Sequence, residues 1–197
     1  MNIVGSSCLA LLLFQGMGSI GGGTPGQASC MQVVANYGTK DIRINRNILG
    51  WNIGKDSPTE ARIKGQQLGI HFRRFSEVGA REDPLKRMCS YRSSAKGHCF
   101  LDVSISKIYL HFMDEQLMNV VLYPTKNSDI HMLKKSIEKL YSRKMEVLLG
   151  EPWIEDARTS IRLHYGTNRR DRSFISIIDR DLADEMNVYQ RQWRNMP

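Results

Sequence analysis

The sequence lacks the residue patterns that mark the common enzyme classes. It contains no GxSxG motif, no P-loop and no HExxH motif, and no GxGxxG motif in a strand–helix context. Histidine is scarce as well, and the five histidines include no pair at metal-ligand spacing. We therefore expect a protein that is not an enzyme, with no catalytic residue, no metal site and no cofactor.

Cysteine is also rare, and the chain has no CxxC pair. A zinc site at Cys89, His98 and Cys99 is disfavoured, because adjacent His and Cys rarely bind one metal and no fourth ligand is evident. The acidic run from Asp179 to Asp184 lacks the glycine and the final glutamate of a calcium loop. Neither group therefore predicts a metal site.

Charged side chains are absent from the first part of the chain, since residues 1–39 contain no Lys, Arg, Asp or Glu. An apolar run is densest between Leu9 and Phe14, and the flexible stretch GSIGGGTPGQASC follows it. An apolar core, a Gly/Pro break and small residues up to Ala28 are typical of a secretory signal peptide. We expect residues 1–28 to be a signal peptide cleaved after Ala28.

Two further features of residues 1–28, the leader, bear on the signal-peptide prediction. No basic residue lies near Met1, so a flexible or buried N-terminus of a cytoplasmic protein is the alternative. The apolar run is also too short and too rich in glycine for a membrane-spanning helix, so the mature chain should have none. Residues 29–40 are expected to form a flexible N-terminal segment, and the protein to be periplasmic or secreted.

The stretch CSYRSSAKGHC places Cys89 and Cys99 at the ends of a polar segment. In an exported chain this spacing predicts a disulfide that closes a surface loop. Cys30 would then remain as a spare thiol. Lipid modification of Cys30 is the alternative, because Ala28 and Ser29 suit the positions before a lipoprotein cysteine.

Basic residues give the only positive indication of function. The formal net charge is +8 and the isoelectric point is near 9.5, which favours anionic partners. Lys and Arg cluster in three local groups, at 73–74, at 86–96 and at 169–172. We take five of these residues as candidate partner contacts: Arg92, Lys96, Arg169, Arg170 and Arg172.

Helix and strand patterns alternate along the rest of the chain. Ser57, Pro58 and Glu60 form a capping box with proline at the helix start, which predicts a helix that ends near Gly69. A second helix is predicted after Asn127 from one apolar stripe. Alternating strands around Leu101–Tyr123 and Ser160–Ile178 complete an α+β pattern.

The segments KIYLHFMDEQLMNVVLY and FISIIDRDLADEMNVY resemble one another and indicate a weak internal repeat. We therefore expect two units of a helix followed by antiparallel strands, at 41–123 and 124–197. They would form a tandem repeat with a layered helix-on-sheet core.

The entry GWNIGKDSPTEA and the later pattern LKKSIEKLYS…EPW…SIRLHY…SFISIID resemble a known class of small exported bacterial α+β modules. These are the beta-lactamase-inhibitor-protein-like proteins and the outer-membrane assembly lipoproteins of the SmpA/OmlA type. The resemblance covers about residues 41–182, and Ser142-Arg143-Lys144 stands where that class has Gly-x-Pro. It implies binding through an exposed sheet face and no catalytic residue.

These observations predict an exported, non-enzymatic protein that binds a macromolecular partner in the bacterial envelope, as an inhibitor, an immunity protein or an assembly factor. The partner would be an acidic protein or an anionic envelope component, and we do not expect nucleic acid. The alternative is a cytoplasmic basic protein that binds nucleic acid.

Overall fold

A large sheet with three helices makes up the computed structural model, which describes residues 30–31, 42–75, 87–167 and 171–194. The strands are β1 Cys30–Met31, β2 Asn47–Ile48, β3 Trp51–Asn52, β4 Arg73–Phe75, β5 Met88–Phe100, β6 Val103–Met113, β7 Gln116–Pro124, β8 Glu146–Leu148, β9 Glu151–Glu155, β10 Thr159–His164 and β11 Phe174–Asp179. The helices are α1 Pro58–Gln67, α2 Ile130–Leu140 and α3 Arg180–Arg194, with a 3-10 turn at Asn127–Asp129 before α2. The expected α+β class is confirmed.

The nine strands of the main sheet have the order β1-β5-β6-β7-β11-β10-β9-β8, with β4 also paired to β5. The β1–β5 pair is parallel and the others are antiparallel. Strands β2 and β3 form a separate small hairpin. Because β7 pairs with β11, strands from 41–123 and 124–197 lie side by side in one sheet.

The predicted capping box begins α1. The Ser57 backbone N–H donates to Glu60 Oε2 at 2.8 Å, and Ser57 Oγ accepts from the Glu60 backbone N–H at 3.3 Å. Gly69 follows the helix with φ of +71°, a conformation that glycine adopts without strain. Both predicted ends of this helix are confirmed.

The apolar stripe of α2 is buried as predicted, with Ile130, Leu133 and Ile137 at 1% exposure or less. They share one hydrophobic cluster with Ala61 of α1 and with the inward side chains of the sheet. These sheet residues include Ile108, Leu110, Phe112, Val120, Leu122, Ile154, Ile161, Leu163, Ile175 and Ile177.

Four hairpins close with two-residue turns in which both loop residues have positive φ. The loops are Leu49-Gly50, Leu101-Asp102, Asp114-Glu115 and Leu149-Gly150. Positive φ at both positions is characteristic of type I′ turns, whose twist matches that of the flanking strands. The third of these turns joins β6 to β7 at 113–116, and a bulge near Ser106 shifts the register of the same two strands between Ile105 and Lys107.

The cysteine segment, which was expected to be a loop, is a strand. It forms most of β5, because β6 pairs with it along most of its length and β4 pairs with it at Ser90–Arg92. The segment that carries Trp153 forms β9, which pairs with both β8 and β10. Most side chains of β5 are polar and at least partly exposed, which is also typical of a surface loop. No helix in the described part of the chain is long and apolar enough to cross a membrane.

Candidate partner-binding face

Side chains of the main sheet alternate between the buried cluster and a second face. We call that second face the aromatic–basic face, and strand register arranges it in three rows. The middle row is Arg73, Arg92, Tyr109, Val121, Ser176, Arg162 and Trp153. The row on one side is Phe75, Ser90, His111, Asn119, Ile178, Ser160 and Glu155, and on the other side Lys107, Tyr123, Phe174 and His164.

Aromatic rings run across this face in mutual contact. The ring centroids lie 5.2 Å apart for Phe75 and Tyr109, and 5.0 Å apart for Tyr109 and Tyr123. Tyr123 then contacts Phe174 at 5.5 Å, and Phe174 stacks on His164 at 4.7 Å. We call these five residues the aromatic row. All of them are partly exposed, so the aromatic row presents some apolar surface to water.

Exposed cations lie along the aromatic row. Four cations of this face are exposed and form no ion pair with another described residue: Arg73, Arg92, Lys107 and Arg162. The Arg92 guanidinium lies 5.5 Å from the centroid of the Phe75 ring, a cation–π contact. Around these four residues, the aromatic–basic face therefore combines apolar surface with positive charge that no described acid neutralises.

Acidic residues lie at the opposite end of the face, on β8 and β9. Glu146 and Glu155 pair with Arg143 and Arg180 at 2.7 and 3.3 Å. A depression of roughly 350 Å³ lies beside them and is also lined by Trp153. Because its acids and bases are balanced, this end carries little net charge.

His164 joins the aromatic row to two carboxylates. Its Nδ1 lies 2.6 Å from Glu151 Oε1 and its Nε2 lies 2.8 Å from Asp171 Oδ1. Partial burial disfavours the imidazolium, but the hydrogen bonds to Glu151 and Asp171 outweigh it and raise the pKa of His164. The His164 bond and those from Thr167 lower the pKa of Asp171 to about 2. Both carboxylates thus favour a protonated ring.

Helix α3 packs at the end of the face nearest the β6–β7 turn. Leu182 and Tyr189 form a small cluster there with Met113 and Met118. The Arg87 guanidinium lies 4.8 Å from the Tyr189 ring centroid and pairs with Asp114 and Glu185, which raises the pKa of Arg87. This end is therefore part of the folded core rather than available surface.

The candidate contact residues are divided by the structure. Arg92 lies on the aromatic–basic face, and Lys96 is exposed on β5 within the register shift between Ser94 and His98. Arg172 instead turns back on the protein, where Nη2 donates to the Pro124 carbonyl at 2.9 Å. Arg169 and Arg170 lie outside the described residues.

The predicted disulfide between Cys89 and Cys99 is wrong. Cys89 is a free thiol, and the two residues stand near opposite ends of the extended strand β5. A rise of about 3.3 Å per residue puts their Cα atoms roughly 30 Å apart, whereas a disulfide needs less than about 7 Å. Burial raises the pKa of the Cys89 thiol against the opposing charge of Arg74. The polar, partly exposed side chains of β5 resemble those of a surface loop, although the backbone is extended.

Sequence reasoning found the basic residues but missed the aromatic row. The available signal was the second phase of alternation in β6 and β7, where Tyr109, His111 and Tyr123 fall between buried apolar residues.

Within residues 42–75, 87–167 and 171–194, no group of three or more His, Cys, Asp or Glu residues could hold a metal ion. No protein-family model matches the chain, and no curated protein matches it either.

Proposed function

We propose that this protein is a non-enzymatic binding protein that captures an acidic protein partner on the aromatic–basic face. The observation that carries the proposal is the set of exposed, unpaired cations beside a continuous row of partly exposed rings. Tyr, Trp and Arg are the residues enriched at protein interfaces and their hot spots. Unpaired cations add attraction for acidic groups and speed encounter.

Ring geometry favours a protein over nucleic acid. The neighbouring rings are tilted by 39°, 73° and 44° to one another, so they do not share one flat plane. Single-stranded nucleic acid is bound by exposed ring faces on which bases stack in succession. Nucleic acid stays the second candidate function because arginine and aromatic residues are interleaved on this sheet.

We also propose where the protein acts and how its two halves are related. The protein acts in the bacterial envelope or outside the cell, after cleavage of the leader near Ala28. Each half includes a helix that is followed by three antiparallel strands, α1 by β5–β7 and α2 by β9–β11, and β7 pairs with β11. This arrangement supports a tandem repeat of helix-on-sheet units.

The test measures binding of the purified full chain to three probes: poly-glutamate, a thymidine oligonucleotide and vesicles with anionic lipid. The informative variants are Arg92→Ala, Arg162→Ala and Tyr109→Ala. Lys139→Ala is the charge-matched control, because Lys139 is exposed on α2 away from the face. We expect poly-glutamate binding to weaken about tenfold in the face variants and to fall with added salt.

Equal binding by the face variants and the Lys139 control would contradict the proposed site. Stronger binding of the oligonucleotide than of poly-glutamate, lost in Tyr109→Ala, would establish the second candidate instead. Vesicle binding that the face variants leave unchanged would assign the basic charge to another surface.

A further inference from the structure

Cys99 differs from Cys89 in its chemical state. Cys99 is disulfide-bonded and 2% exposed, whereas Cys89 is a free thiol. Since Cys89 is excluded, the partner of Cys99 is one of the two other cysteines in the sequence, Cys8 or Cys30.

Strand pairing distinguishes between these two cysteines. Strand β1 runs parallel to the outer edge of β5, with Cys30 opposite Cys99 and Met31 opposite Phe100. Neighbouring strands lie about 4.8 Å apart, within the Cα separation that a disulfide spans. We propose that Cys30 and Cys99 form a disulfide that fixes the N-terminal segment to the edge of the sheet.

The chemistry of bond formation needs one oxidant. A small-molecule disulfide such as oxidised glutathione accepts two electrons and becomes two thiols. The Cys30 and Cys99 thiols lose two protons and join through one S–S bond. Cys89 does not compete, because it lies far along β5 and is kept in its thiol form by burial.

The bond gives the outer edge of β5 a covalent cover. Strand β4 pairs with this edge at Ser90–Arg92, and β1 pairs with it at Cys99–Phe100. Unpaired sheet edges are sites of unwanted strand addition, so holding β1 in place protects the edge. The same bond excludes a lipid thioether on Cys30, since one sulfur cannot form both.

Tryptic mapping without reduction tests the pairing directly, because the cysteines fall in different peptides. Cys30 lies in the peptide that ends at Lys40, Cys89 in residues 88–92 and Cys99 in residues 97–107. The full chain is refolded with oxidised and reduced glutathione, alkylated in denaturant without reductant, and digested. We expect the peptide ending at Lys40 to be linked to residues 97–107 and to separate on reduction, with Cys89 alkylated.

Three single variants make the assignment specific. Cys30→Ser should change Cys99 from almost fully protected to almost fully alkylated, while Cys8→Ser and Cys89→Ser should leave the linked peptide intact. The Cys8→Ser chain matters because Cys8 and Cys30 share one tryptic peptide in an unprocessed chain. A linkage that survives Cys30→Ser and is lost in Cys8→Ser would overturn the proposal, as would a wild-type Cys99 that is alkylated in denaturant without reductant.

Discussion

His164 and Asp171 form a 2.8 Å contact between the end of β10 and the loop before β11. Glu151 contacts the other ring nitrogen, so the imidazole links three segments of the chain. This contact explains how the exposed end of the aromatic row is held in position. It also makes the local stability depend on pH.

Stability near His164 should fall as the pH rises. The folded-state pKa of His164 lies above its ordinary value of 6.5, so its contribution is complete below 6.5 and is lost as the pH passes the raised value. Asp171 acts in the opposite sense, because its contribution is present above 3.8 and is lost as the pH falls toward about 2. Between these limits the cluster is at its strongest.

Thermal melts across this range check the pH dependence. The melting temperature of the wild type should fall more between mildly acidic and mildly alkaline pH than the melting temperature of His164→Gln. His98→Gln is the control, since His98 has no described acidic contact. Identical pH profiles for wild type and His164→Gln would refute the stabilising imidazolium.

Leu149→Asn should stabilise the protein by about 0.5–1 kcal/mol. Leu149 is 97% exposed and has φ of +52°, a conformation that asparagine adopts more readily than leucine. Leu149→Thr removes the same apolar surface but places a β-branched residue at positive φ, so it should destabilise. Urea unfolding measures both changes, and equal shifts in the two variants would show that the turn conformation is not the cause.

Arg172→Ala should lower stability with little effect on poly-glutamate binding. The Arg172 guanidinium donates to the carbonyls of Pro124 and Thr125 and to Ser106 Oγ, so it fixes the loop before β11 against β6 and β7. Lost hydrogen bonds of this kind cost about 1–3 kcal/mol. Arg92→Ala is the reciprocal case, with weaker binding and an unchanged melting temperature. If Arg172→Ala weakened binding and left stability unchanged, while Arg92→Ala did the opposite, Arg172 would be the contact residue and Arg92 the structural one.

Ser57→Ala should cost about 1 kcal/mol, because it removes the side-chain cap of α1. Ser57→Asp keeps an acceptor for the Glu60 backbone N–H and should remain close to the wild type. Chemical denaturation measures the difference between these variants. An alanine variant as stable as the aspartate variant would mean that the Glu60 side chain alone sustains the cap.

Local signals predicted what local contacts determine. The ends of α1 and the buried stripe of α2 depend on residues within a few positions of one another. Strand β5 is polar and partly exposed along most of its length, a composition that is also typical of a surface loop, and it does not reveal the backbone pairing with β4 and β6. The aromatic row has no local signal as a row, because its five rings come from five different strands and meet only after these strands and β5 have paired.

Strand order has a consequence for the timing of folding. Asn119 of β7 contacts Ser176 of β11 across 57 positions of the chain, and β11 is the last strand. A chain that is delivered with its N-terminus first therefore carries β7 with one open edge until β11 has followed. The pairing of β7 with β11 cannot form before then, so closure of the middle of the sheet waits for a strand that is made well after β7, at the ribosome or across a membrane.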